Sequence, residues 1–149
     1  MSDYLSRSDY VIGEKASLSR TIIESDLTQM ADLTGDHNPI HMDESFASRS
    51  RFKGRIAHGL FSVGLISAVL GTRLPGPGAI YLKQTLDFLA PVRVGDTLTA
   101  EVEVISWQAD KRIMKLKTIC YLQGGKQVLS GEAILLVDQY EGGISLLTG

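Results

Sequence analysis

Cysteine is almost missing from this chain: Cys120 stands alone among 149 residues, so no intrachain disulfide can form. It falls in Lys117-Thr118-Ile119-Cys120-Tyr121, a β-like run where a buried, inert thiol is expected. This usage fits a reducing compartment. Long hydrophobic runs are missing too. No apolar stretch reaches membrane-spanning length, and the polar segment Met1 to Tyr10 lacks the apolar centre of a signal peptide. An excess of charge of one sign is also absent. Fifteen Lys and Arg against 17 Asp and Glu leave a net charge of −2, which argues against nucleic acid as the main partner. The chain reads as cytoplasmic. Its 44% hydrophobic and 21% charged residues are ordinary for a globular protein, and its length suits one domain with a real core.

Residues 1–15 read as a polar lead-in. Ala16 to Ile23 alternates loosely as a first strand. Ser25 reads as the N-cap of a short helix from Asp26 to about Leu33, stopped by Gly35, and Asp43 as the cap of a second one, Glu44 to Ser48. From Leu60 to Leu70 the apolar residues cover nearly the whole circumference of a helix, which predicts burial on all sides. Gly71 is the expected stop, and Leu74-Pro75-Gly76-Pro77-Gly78 an emphatic loop. The period then changes to two. Ile80–Phe88, Thr97–Trp107, Ile113–Leu122 and Gln127–Val137 read as strands, the last two joined by the hairpin signal Gln123-Gly124-Gly125-Lys126.

Short antiparallel strands with one all-apolar helix predict an α+β domain over residues 16–138, its sheet curled around the helix, followed by a tail, 139–149. Periodicity alone leaves several such topologies open. A curved sheet of this size exposes an edge strand and part of its inner surface, so a homodimer is expected.

One polar loop stands out: Gly35-Asp36-His37-Asn38-Pro39-Ile40-His41. Pro39 disfavours a helical conformation at Asn38, so a turn is expected to hold Asp36 and His41, five residues apart, where both can reach one water. Taken alone, Asp36 could equally be an Asx-turn residue and His41 a solvated loop histidine. His37 and His41 with Asp36 and Asp43 are also rich in metal-ligand types, but Pro39 blocks the helical presentation that an H-x-x-x-H site needs, and no metal is expected.

Asp36-His37-Asn38-Pro39-Ile40-His41-Met42-Asp43, followed by Ile56-Ala57-His58-Gly59 at the start of the long helix, resembles the MaoC-like hydratases, notably (R)-specific enoyl-CoA hydratases. The runs Leu74–Leu82 and Pro91–Asp96 share the likeness, which extends from about Ser17 to Val137. The resemblance implies the hot-dog fold, a curved antiparallel sheet wrapped around one long buried helix. It also implies reversible addition of water to a trans-2-enoyl thioester of coenzyme A or an acyl carrier protein, giving the (R)-3-hydroxyacyl thioester without cofactor or metal. Asp36 and His41 become the catalytic pair, Gly59 the oxyanion-hole donor, and Ser67 a residue lining the active site. Ser67 is as readily a small residue bonded back to its own helix, and His58 reads as part of the helix entrance.

The chemistry suits these residue types. Hydration needs a base for water, an acid for the α-carbon, and a partner for the enolate-like oxygen. Asp36 and His41 can serve one face of the alkene, although their spacing does not decide which is acid and which is base. A helix N-terminus at Gly59 offers a free N–H and a favourable dipole. Arg49, Arg51, Lys53 and Arg55 form a basic loop, ordinarily a solvated face, that could meet phosphates of the thioester carrier. The rivals are an acyl-thioester hydrolase on the same fold and a non-catalytic acyl-thioester-binding module.

Overall fold

The computed structural model describes residues 7–138 and, beyond them, two short strands. The chain runs β1 (Lys15–Thr21), α1 (Glu24–Thr34), α2 (Pro39–Met42), α3 (Glu44–Ser48), α4 (Gly59–Thr72), β2 (Ala79–Gln84), β3 (Asp87–Phe88), β4 (Thr97–Gln108), β5 (Ile113–Leu122) and β6 (Gln127–Val137), then β7 (Tyr140–Glu141) paired with β8 (Ile144–Ser145). Most of the tail beyond residue 138 lies outside the described residues, as do residues 1–6.

Five strands form an antiparallel sheet in the order β1-β4-β5-β6-β2, and β3 also pairs with β6. Alternation decides which face is buried. Leu98, Ala100, Val102 and Val104 of β4 are fully buried, as are Met114, Leu116 and Cys120 of β5. They share one core with Ile66, Val69 and Leu70 of α4, so the sheet wraps the long helix as expected of a hot-dog fold. Burial pushes the Cys120 thiol up to about 12, which makes it the inert core residue foreseen.

Several local expectations are corrected. Ile23, not Ser25, is the N-cap of α1, because Asp26 at the third helical position reaches back to accept the Ile23 N–H at 2.9 Å. The guanidinium of Arg20 beside it holds the Asp26 carboxyl below its ordinary range. Gly71 lies inside α4, which continues to Thr72. The expected Ile80–Phe88 strand is two pieces. Thr85 breaks the ladder, and its carbonyl comes so near Gly131 that a Cβ there would lie 1.9 Å from the oxygen.

The lead-in is also more than that, since residues 7–14 are tied to the sheet. Tyr10 is buried, packs edge-on against Trp107 with ring centroids 4.9 Å apart, and donates to the Pro75 carbonyl at 3.3 Å. Arg112 donates to the carbonyls of Arg7 and Ser8.

The largest correction concerns α4. Only Ser62, Ile66, Val69 and Leu70 are fully buried, while Leu60 is 60% exposed and Gly64 and Ser67 are open. Within one chain the sheet covers one side of the helix. Among the described residues the Leu60, Gly64 and Ser67 side of the helix is left open.

Candidate active site

The turn that carries Asp36 and His41 is held by local backbone bonds and two Asx links. Gly35 ends α1 in the left-handed region (φ 79°) and returns its N–H to the Ala31 carbonyl, a conformation glycine takes without a Cβ penalty. Asp36 accepts the Asn38 N–H, and Asn38 accepts the Ile40 N–H, so one Asx link leads to the next. Asn38 thereby caps α2, with Pro39 in its first turn, where a missing N–H costs nothing. His41 thus sits on a single helical turn and Asp36 lies just outside it.

His41 is 8% exposed. Its Nδ1 lies 2.7 Å from the Ile56 carbonyl oxygen. A carbonyl only accepts, so Nδ1 carries a proton, and in the neutral ring Nε2 is a bare lone pair. That Nε2 is 4.0 Å from the Asp36 carboxylate, whose side chain is 51% exposed. The gap is too long for a direct hydrogen bond, but an oxygen about 2.8 Å from each atom closes it at an angle of about 90°. His37 points elsewhere, toward Asp32 at 3.8 Å.

Beside His41 lies a cavity of about 290 Å³, lined among others by Ile56, His58, Gly59, Ser62, Phe88 and Val128. Gly59 opens α4, so its N–H has no carbonyl one turn back to bond. A Cβ on Gly59 would stand 2.8 Å from the Phe88 ring; glycine lets that ring approach the helix start. Ser62 follows one turn later and is buried at the cavity. The inward stripe Gly59, Ser62, Ile66, at i, i+3 and i+7, is a signal that helical spacing offered. Ser67 instead lies on the exposed side of α4, away from this cavity.

Asp36, His41 and His58 place three metal-type donors within 4.8 Å of one another. The two imidazoles, however, are stacked, with centroids 4.0 Å apart and planes inclined by 28°. Their lone pairs lie in those planes, which meet well beyond the ~2 Å at which a histidine nitrogen holds zinc. The arrangement suits stacking better than chelation.

A MaoC like domain model matches residues 10–123. The chain belongs to the MaoC-like family. Among its relatives, an (R)-specific enoyl-CoA hydratase of Rhodospirillum rubrum is 53% identical over 125 residues, covering 84% of this chain and 86% of the relative. A 3-hydroxybutyryl-CoA dehydratase of Methylorubrum extorquens is 50% identical over 133 residues, covering 89% and 84%. Among solved structures, the unliganded R-hydratase PhaJ1 of Pseudomonas aeruginosa superposes with a TM-score of 0.85 at 42% identity, covering 93% of this chain and 88% of that one.

In this MaoC-like chain the basic loop is not uniform. Arg49 and Arg51 are exposed, as is Lys53, and Arg49 also bonds the Ser45 carbonyl. Arg55 is placed differently from its neighbours: its side chain is 18% exposed and pairs with both Glu24 and Glu44, which raises its pKa further. Arg93, missed in the sequence, pins the base of this loop by donating to the carbonyls of Phe52 and Arg55.

Proposed function

We propose that this chain is an (R)-specific enoyl-CoA hydratase that adds water reversibly to trans-2-enoyl thioesters. The observation that carries the reading is a bare His41 Nε2 held 4.0 Å from the Asp36 carboxylate, beside the Gly59 start of α4. The thioester carbonyl accepts from the Gly59 N–H, where the helix dipole favours the charge of an enolate. His41 takes a proton from the shared water, whose oxygen bonds to the β-carbon, and the pair returns one proton to the α-carbon. One proton leaves water and one reaches carbon, so the enzyme is restored without a cofactor.

Arg49, Arg51 and Lys53 are the proposed contacts for phosphates of coenzyme A or of an acyl carrier protein, on the loop whose Phe52 lines the cavity. The proposed assembly is a homodimer. Edge strand β2 leaves Ile80, Tyr81 and Leu82 exposed, and α4 leaves its Leu60–Ser67 side open. A second copy would cover both, and Ser67 enters the substrate site only from that covered face. Among the described residues no helix is long and apolar enough to cross a membrane; a cytoplasmic setting suits the single buried thiol.

The test is a coupled assay on trans-2-enoyl-CoA that follows loss of the conjugated chromophore and release of thiol together. Hydration without thiol release, giving the (R)-3-hydroxyacyl product, is expected. Thiol release from saturated esters would instead identify a hydrolase.

A further inference from the structure

His58 is a buried polar side chain at the cavity to which the hydration steps assign no work. It is 4% exposed and lines the cavity with His41 and Gly59. It occupies the N-cap position of α4, yet its side chain makes no capping bond. Its Nε2 lies 3.0 Å from the backbone oxygen of Asp36. That oxygen only accepts, so Nε2 carries a proton and, in the neutral ring, Nδ1 does not. Nδ1 is buried without a hydrogen-bond partner among the described residues. A buried polar atom left in that state is unfavourable, so the ring is kept for its two other contacts.

Those contacts reach both members of the pair. The other bonds of Asp36 are local to its turn: its N–H donates to the Thr34 hydroxyl, and its carboxylate accepts the Asn38 N–H. The His58 bond is what connects Asp36 across 22 residues to the residue preceding Gly59. The other contact is the stack on His41, which adds to the Ile56 carbonyl in setting the plane of that ring and so the direction of its bare Nε2. One imidazole thereby links acid–base pair and oxyanion end.

We propose that His58 is a positioning residue for the hydration described above, on which this inference rests. Its Nε2–H holds the Asp36 carbonyl against the start of α4, and its ring face fixes the orientation of His41. Both contacts are to protein groups that place the acid–base pair, so the effect is expected in the chemical step more than in binding.

Two substitutions separate the contacts: His58→Phe keeps a flat ring without the N–H, and His58→Gln keeps an N–H near the same place without the stack. The inference expects His58→Phe to lower kcat at least ~10-fold with KM within about threefold, and His58→Gln to recover part of that loss, the pattern of misplaced reacting groups. Unchanged kcat in the folded fraction of both variants, a change confined to KM, or no recovery in His58→Gln would overturn it. Nitrogen NMR of the wild-type histidine side chains gives a readout that does not depend on either variant folding. His58 is expected in the Nε2–H form and His41 in the Nδ1–H form, and a His58 protonated at Nδ1 alone overturns the proposal. A wild type that fails to hydrate enoyl-CoA would overturn the hydratase reading and this inference with it. An active wild type with indifferent variants overturns the inference alone.

Discussion

Two polar clusters stand close together in this chain, residues 36–41 and residues 49–55, and the fold treats them in opposite ways. In the first, charge is sparse but Asp36, Asn38 and His41 each bond a backbone group through the side chain, and Gly35, Asn38, Ile56 and His58 together fix where His41 points. In the second, charge is dense, yet Arg51 and Lys53 project into solvent, and the half-buried Arg55 is neutralised by Glu24 and Glu44. Precise placement comes from carbonyls and burial, because a charge in water gains little from any single geometry. The proposed chemistry therefore falls to the sparse cluster, and at most attraction to the dense one.

The largest effects should fall in the first cluster. Asp36→Asn and His41→Ala are each expected to lower kcat for enoyl-CoA hydration at least ~100-fold, the usual scale for a lost acid–base group. Circular dichroism should show both folded, since the turn is not core. Near-normal turnover in either would dissolve the contrast. Next is Gly59→Ala, whose Cβ would push the Phe88 ring and crowd the carbonyl site; a loss of about 10- to 100-fold in kcat/KM is expected from such misplacement.

The second cluster should respond weakly and in two different ways. Arg51→Ala with Lys53→Ala is expected to raise KM for CoA esters about threefold at low salt, with the difference vanishing at high salt where exposed charges are screened. Arg55→Ala should leave KM alone and cost about 1 kcal/mol in thermal or urea unfolding. A KM effect in Arg55→Ala that matched the double variant would show that the loop acts as one phosphate site. Leu82→Arg tests the assembly, with light scattering expected to fall from the mass of two chains toward one.

Much of this was legible in the chain because the deciding forces are periodic. The alternation of Leu98 to Val104 and the Gly124-Gly125 hairpin signal each specify local geometry, and β4, β5 and β6 lie where they predict. What was not legible depends on groups distant in sequence. Ser25 looked like a cap, but Asp26 caps the backbone of Ile23 from within the helix while pairing with Arg20. Circumferential hydrophobicity of α4 pointed to burial on all sides, whereas the described residues leave its Leu60, Gly64 and Ser67 side open. Helical spacing could have singled out Ser62. No spacing rule could have shown that His58 bonds the Asp36 carbonyl and stacks on His41, because both contacts arise only once α4 docks beside the turn.

The central claim is that Asp36 and His41 act on one shared water from one side of the substrate. Hydration of a trans-2-enoyl-CoA in D2O tests it most directly, with the relative configuration at C2 and C3 of the product read by NMR. A single deuterium at C2, added on the same face as the new (R)-hydroxyl, is predicted. Addition to opposite faces, or deuterium without facial preference, would place acid and base apart and contradict the account.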